Sequence, residues 1–162
     1  MNISMKSRHF LTKSSRLIAA LSSLAVFSWA QPQRVTVEPP SQITVKRGEE
    51  VSHQLSISIQ PGFHVNSNKP KDEFLIPLQL TWSPGPLIVE SVSYPQPEEI
   101  KVGPDTLSVF TGKVVLQTKF RASNQASSLP TAIVGKLHYQ ACNNQMCFRP
   151  STVEVRLPVV VQ

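Results

Sequence analysis

The chain has 162 residues, with 16 Lys and Arg against 10 Asp and Glu, four His and two Cys, a length that fits one compact domain. Residues 1–30 hold four of the basic residues and no acidic residue, so the remaining 132 residues carry 12 bases against 10 acids. This near-neutral part has no cluster of Lys and Arg interleaved with aromatic residues, which argues against a nucleic-acid-binding protein.

Residues 1–30 have the three parts of a secretory signal peptide. A basic segment comes first, an apolar run of 11 residues spans 17–27, and Ser28-Trp29-Ala30 supplies the small–x–small pattern of a cleavage site. The run is shorter than the roughly 20 residues that cross a bilayer, although an uncleaved membrane anchor stays open as an alternative. We predict cleavage after Ala30, no membrane span in the mature protein, and a folded domain outside the cytoplasm, where disulfides persist.

From residue 31 onward, apolar and polar residues alternate, and no helical spacing of apolar residues is sustained. From Val51 to Ile59, apolar side chains fall on one side and Ser and Gln on the other, as in a half-buried strand. Sequences rich in Pro and Gly mark turns between such runs. The other alternating runs span 78–82, 114–120, 133–139 and 153–161, and weaker runs span 34–37, 43–45, 87–92 and 107–110.

About eight or nine short strands without a helix predict an all-β fold, and an antiparallel β-sandwich is the architecture this pattern favours. A closed barrel remains the structural alternative, because periodicity does not distinguish the two. We expect residues 31–162 to form this single domain. Trp82 and Tyr139 fall on the inward side of their runs and are predicted to lie in its core.

Cys142 and Cys147 form a C-x4-C pair between the last two alternating runs. A structural disulfide, a metal site and a redox-active pair are three interpretations of this spacing. A disulfide that closes a loop of about 6 residues stabilises a fold by roughly 2 kcal/mol in the chain-entropy model, against about 5 kcal/mol for a loop of about 100 residues. As a structural staple, this bond would therefore contribute little.

The pair makes an incomplete metal site. Two thiolates do not complete a tetrahedral zinc site, and the sequence has no second Cys pair and no His pair at zinc-binding spacing. Cu(I) needs fewer ligands and accepts thiolate and thioether, so Cys142, Cys147 and Met146, with His138 nearby, stay open as a copper site. We predict neither a metal nor another cofactor.

A redox-active pair needs thiols that are accessible and close together. The polar segment Asn143–Gln145 and the following Arg149-Pro150 favour an exposed loop around the cysteines. No Lys or His lies between the cysteines to lower a thiol pKa. The sequence therefore fits an exchanger that depends on its partner better than an independent oxidant.

The cysteine segment resembles the end of the N-terminal periplasmic domain of the thiol:disulfide interchange protein DsbD. The resemblance rests on Tyr139-Gln140-Ala141-Cys142 and on Cys147-Phe148-Arg149-Pro150, followed by alternating valines. Upstream, Gly62–Pro70 and Leu75-Ile76-Pro77 also look like that family, and the resemblance covers most of residues 35–161. It implies an immunoglobulin-like sandwich whose cysteine pair exchanges electrons with other proteins.

The resemblance also implies a role for each cysteine. Cys147 matches the cysteine that forms the mixed disulfide with a partner, and Cys142 matches the one that resolves it. The implied partners are a thioredoxin-like periplasmic protein or a membrane electron-transfer protein, encoded separately because this chain has neither domain. We expect a monomer in the periplasm or another exported location.

Two features depart from the family pattern. The family has five residues between the cysteines, and this chain has four. The family also has an aromatic residue in a cap loop over the pair, whereas the matching segment, 98–103, offers only Ile100 or Val102. Any shielding of the pair is therefore expected to be aliphatic.

Two further points stay open at this stage. His64 lies either beside the cysteines as a polar neighbour or at a strand edge in contact with water. A binding module whose disulfide firms one loop is the alternative to the exchange function.

Overall fold

The computed structural model describes residues 33–162, so the predicted signal peptide, residues 1–30, lies outside the described residues. Residues 33–162 contain no helix long and apolar enough to cross a bilayer. Their long elements are all β-strands, as the alternation predicts. The strands are β1 (Val35–Val37), β2 (Ile43–Val45), β3 (Glu50–Ile59), β4 (His64–Asn66), β5 (Gln79–Trp82), β6 (Leu87–Ser93), β7 (Glu98–Val102), β8 (Asp105–Phe110), β9 (Lys113–Ala122), β10 (Thr131–Tyr139), β11 (Ala141–Cys142) and β12 (Ser151–Val161).

The strands form three sheets of four strands each. The first sheet has the order β1-β3-β9-β6, the second β2-β12-β10-β5 and the third β11-β4-β8-β7. Neighbouring strands are antiparallel except β2 and β12, which are parallel. The predicted immunoglobulin-like β-sandwich is confirmed.

The core lies on the inward faces of the first and second sheets. The long strands β3, β9, β10 and β12 bury every second residue, which is the burial that their alternating sequences predict. Leu116, Phe120, Leu137 and Leu157 are fully buried there. Tyr139 is buried and Trp82 packs against the core, so both expectations are confirmed.

The third sheet packs against one part of this core through residues from three of its strands. Val65 of β4, Phe110 of β8 and Ala141 of β11 belong to the same apolar cluster as Leu116 and Leu137. Three of its four strands, β4, β7 and β11, were not predicted from the sequence, because strands of two to five residues show too little alternation. This sheet carries the cysteine pair.

Trp82 occupies the space that a glycine leaves open on the neighbouring strand. Gly135 lies directly opposite Trp82, and a Cβ atom at position 135 would approach the indole ring to 2.8 Å. The indole Nε1 donates a hydrogen bond of 3.1 Å to the hydroxyl of Thr118 across the sandwich. Gly135 is therefore required for the packing of Trp82 between the two sheets.

His53 is a polar residue on the inward face of β3. Its side chain is 4% exposed and lies opposite Thr118 on β9. Within the described residues, neither ring nitrogen has a hydrogen-bond partner. Burial lowers the pKa of His53 below its ordinary value of 6.5, so the folded protein holds this imidazole neutral.

This burial predicts a loss of stability in mild acid. Below pH 6.5 the unfolded chain binds a proton at His53 before the folded chain does, so the free energy of unfolding falls as the pH decreases. The slope is at most about 1.4 kcal/mol per pH unit for one group. His64, whose pKa burial also lowers, adds a second slope of the same sign. Urea unfolding between about pH 7 and pH 5.5 should show a smaller decrease in the His53→Leu variant than in the wild type. An unchanged decrease would contradict the assignment.

Candidate functional site

The two cysteines lie in the loop between β10 and β12, whose two ends are held together by the pairing of these strands. β10 and β12 pair along the whole of β10, and the last pair of this ladder is Tyr139 with Ser151. The chain between these two residues leaves the second sheet and adds β11 to the edge of the third. Cys142 and Cys147 form a disulfide inside this loop.

The two sulfur-bearing residues differ strongly in exposure. Cys142 is 1% exposed and lies within β11, whereas Cys147 is exposed on the segment that returns towards β12. A thiolate from another protein attacks a disulfide at a sulfur that it can reach. Of the two cysteines, Cys147 is the one that another molecule can reach.

Hydrogen bonds hold the cysteine loop independently of the disulfide. The Asn143 side-chain oxygen accepts bonds from the backbone N–H groups of Gln145, at 2.9 Å, and Met146, at 2.8 Å. The backbone N–H of Phe148 donates to the Ala141 carbonyl at 2.9 Å, one residue beyond the disulfide. Asn143 therefore acts as a turn residue, which fixes the reversal between the two cysteines.

An aromatic and cationic cluster supports the loop from the core side of the third sheet. The rings of Phe148 and Phe63 lie 5.9 Å apart between centroids. The Arg34 guanidinium carbon lies 3.7 Å from the Phe148 centroid and 5.6 Å from the Phe63 centroid. A cation over an aromatic face contributes about 0.5–1 kcal/mol at exposed sites and more when desolvated. We call Arg34, Phe63 and Phe148 the aromatic clamp.

Sequence reasoning did not find the aromatic clamp. Arg34 immediately precedes β1, at the opposite end of the domain sequence from Phe148. The only local signal is Phe148 itself, an aromatic residue directly after an exposed cysteine. Nothing in the pattern around Arg34 points to a partner so distant along the chain.

His64 lies beside the cysteine pair and is buried. It is 4% exposed and directly opposite Cys142 in the pairing of β4 with β11. Burial lowers the pKa of His64 below 6.5, so the imidazole is neutral at neutral pH. The structure thus selects the first of the two interpretations, a neighbour of the cysteines.

An open pocket of about 610 Å³ adjoins the pair. Its walls come from the turn between β3 and β4, from β7 and from the cysteine loop, and they include Phe63, His64, Ile100, Lys101 and Asn144. Gly62, with φ of 83°, allows the tight turn that brings Phe63 and His64 to this wall. The pocket gives solvent access to the histidine side of the pair.

The segment expected to form a cap loop is instead a β-hairpin. Residues 98–102 are β7, which pairs with β8 through a turn at Gly103. Ile100 is half-buried and lines the pocket. A Lys71–Glu99 ion pair of 2.7 Å links this hairpin to the loop before β5.

The described residues were compared with the ligand sets that hold metal ions. Among residues 33–162 no group of three or more His, Cys, Asp and Glu side chains lies in a metal-binding arrangement. His138, the suggested neighbour of a copper site, has its Nδ1 2.9 Å from the Thr152 hydroxyl, on the β10–β12 ladder. The thioether of Met146 is exposed.

Comparison with known proteins gives one family and several structural neighbours. The family model described as the N-terminal part of thiol:disulfide interchange protein DsbD matches residues 31–158. No individually curated protein sequence matches the chain.

Among solved structures, the N-terminal periplasmic domain of ScsB from Proteus mirabilis is 17% identical, with a TM-score of 0.52. The alignment covers 76% of this chain and 44% of the ScsB chain, and it supports the fold. The reduced N-terminal domain of DsbD from Neisseria meningitidis is 16% identical over 64% of this chain and 74% of its own, with a TM-score of 0.45. A complex of DsbD and PilB N-terminal domains from the same organism gives 17% identity, 65% and 73% coverage, and a TM-score of 0.43.

We predict that the aromatic clamp keeps the two thiols close together when the disulfide is reduced. Replacing the cation by an apolar side chain, Arg34→Met, removes about 1 kcal/mol of attraction for Phe148, so Cys147 should spend less time near Cys142. The equilibrium constant for disulfide formation, measured in glutathione redox buffers, should fall about fivefold. Arg149→Met, which removes an exposed charge two residues from Cys147, is the matched control. An equal change in both variants would show an effect of charge rather than of the clamp.

Proposed function

The chain belongs to the family of N-terminal domains of the thiol:disulfide interchange protein DsbD, and on this premise we propose that it is an exported thiol:disulfide exchange module. Its Cys142–Cys147 disulfide accepts two electrons from one redox protein and passes them to another. The role needs no bound cofactor, since the two sulfur atoms carry the electrons.

The observation that carries this proposal is the place of the disulfide within the sheet. The Tyr139–Ser151 pair already closes the loop, and hydrogen bonds donated to the Asn143 side chain shape it, so the disulfide adds little constraint to the fold. In the chain-entropy model a loop of about 6 residues is worth roughly 2 kcal/mol even in an otherwise free chain. A bond of small structural value at an exposed sulfur suits reversible exchange better than stapling.

The exposure of the two sulfurs supports a division of roles. In the reduced module, the Cys147 thiolate attacks a disulfide of the partner, forms a mixed disulfide and releases one partner sulfur as a thiolate. Cys142 then attacks the Cys147 sulfur, which re-forms the Cys142–Cys147 bond and releases the second partner sulfur. The module has then lost two electrons, and the partner disulfide is reduced.

The partners we propose are a thioredoxin-like periplasmic protein or a separate membrane electron-transfer protein. A cysteine pair in such a partner needs to reach only one of the two cysteines of this module. Cys147 is the exposed one. We place the module in the periplasm or at another exported site, as a monomer that meets its partners transiently. An oxidising compartment suits a domain whose only two cysteines are paired.

The β7–β8 hairpin lies across the pocket from the cysteine loop. Ile100 lines the pocket beside the cysteine loop, so the side chain offered there is aliphatic. We propose that Ile100 gives an aliphatic wall to the histidine side of the pair, while Cys147 stays exposed to partners. The Lys71–Glu99 ion pair, which links the hairpin to the loop before β5, joins exposed side chains and adds little to the stability of this arrangement.

Trapping with single-cysteine variants tests the proposed roles. In Cys142→Ser the exposed Cys147 has no resolving thiol, so mixed disulfides with exported redox proteins should accumulate in envelope extracts and dissolve on reduction. Cys147→Ser, which leaves only the buried Cys142, is the matched control and should trap little or nothing. Adducts are counted by non-reducing electrophoresis and identified by mass spectrometry.

Two outcomes of the trapping experiment would contradict the proposal. Adducts with Cys147→Ser but not with Cys142→Ser would reverse the roles of the two cysteines. An absence of adducts in both variants, under conditions where known exchangers are trapped, would favour a binding module with a structural disulfide.

A further inference from the structure

Three side chains form a row across adjacent segments of the third sheet. Cys142 lies directly opposite His64 on one side and directly opposite Cys147 on the other. Directly opposed residues of antiparallel strands project from the same face, with Cβ atoms about 4.5–5.5 Å apart. The buried cysteine therefore lies between the exposed cysteine and the imidazole.

The row occupies the face of the sheet that points away from the core. Val65 and Ala141, the sequence neighbours of His64 and Cys142, belong to the core cluster, and side chains alternate between the two faces of a strand. The histidine shares this face with the two cysteines, and it lines the same pocket as Phe63 of the aromatic clamp. Its role has to be sought in the chemistry of the sulfur face.

Burial of Cys142 creates a problem of proton transfer in the resolving step. A thiol attacks a disulfide only as a thiolate, and Cys142 is 1% exposed, so bulk water has little access to its proton. Burial among apolar groups further disfavours the thiolate. A resolving thiol in this position needs a proton acceptor beside it.

Resting on the exchange function proposed above, we propose that His64 accepts the Cys142 proton in the resolving step. An imidazole nitrogen takes the proton while the Cys142 sulfur bonds to the Cys147 sulfur. The bond between Cys147 and the partner sulfur breaks, and the partner leaves as a thiolate. The imidazolium then returns its proton to this thiolate or to water in the adjoining pocket, which His64 lines.

The surroundings of His64 agree with this role. Because burial lowers its pKa, the imidazole is neutral at neutral pH and has a free lone pair to accept a proton. Lys101 of β7 is the charged residue among those lining the pocket. Cys142, Cys147 and the exposed Arg149 are the titratable residues between Tyr139 and Ser151, and Thr111, between β8 and β9, is neutral. None of the described residues that line the pocket is a carboxylate, and the Glu98 carboxylate accepts a hydrogen bond of 3.1 Å from the Thr111 hydroxyl of its wall.

Reaction with the aromatic disulfide dithiobis(nitrobenzoate) separates the attack by Cys147 from the resolving step by Cys142. The reduced protein releases one coloured thiolate when Cys147 attacks the reagent and a second when Cys142 resolves the adduct. General acid–base catalysis contributes about 10²–10⁴-fold, so His64→Gln should slow the second release by at least about tenfold at pH 7. The first release should stay within about twofold of wild type, because Cys147 is exposed and does not depend on the histidine.

Two control variants identify the first and the second release of coloured thiolate. Cys142→Ser should show the first release alone, and His138→Gln, which changes a histidine on the β10–β12 ladder, should leave both releases unchanged. An unchanged second release in His64→Gln, or an equal slowing of both releases, would overturn the role of His64. A wild-type protein without a second release would overturn the exchange function itself and this role with it.

The wild-type protein provides a test that does not depend on the folding of a variant. If a neutral imidazole accepts the proton, the rate of the second release should be nearly independent of pH between pH 6.5 and pH 8, because burial places the His64 pKa below its ordinary value of 6.5. A thiol that ionises without this base should keep accelerating about tenfold per pH unit up to pH 8. The second pattern would overturn the proposal.

Discussion

The pairing of β10 with β12 is the constraint on which the cysteine site depends. The ladder runs from Thr131 to Tyr139, and its last pair, Tyr139 with Ser151, fixes both ends of the loop. β11 then joins the third sheet, which shares its apolar cluster with the sandwich. These contacts position the loop independently of the Cys142–Cys147 bond.

The third sheet gives the pair two different environments. On its core side, Arg34, Phe63 and Phe148 hold the segment that follows Cys147. On its other side, His64 and Cys142 are buried in one row, while Cys147 at the end of the row is exposed. The two cysteines of this one disulfide therefore differ in exposure, because Cys142 is buried and Cys147 is exposed.

The sandwich could be predicted because its long strands alternate, and the pattern of burial on β9 matches the sequence residue by residue. The third sheet could not, since β4 and β11 have three and two residues and pair across a large sequence separation. The cysteine pair was found from its spacing and resemblance. The neighbours of the pair, Arg34 and His64, depend on sheet register and packing, which periodicity does not encode. The segment 98–102 was expected as a loop because its charges mask the alternation of a short edge strand.

The reduction potential of the Cys142–Cys147 bond in the intact protein tests the central claim most directly. Structural disulfides of exported proteins have potentials below about −300 mV, whereas catalytic exchangers lie at higher values. A bond that adds little to the fold and ends at an exposed sulfur should have a potential above about −300 mV, with near-ultraviolet circular dichroism preserved on reduction. A potential well below this value, or loss of the folded signal when the bond is reduced, would contradict the account.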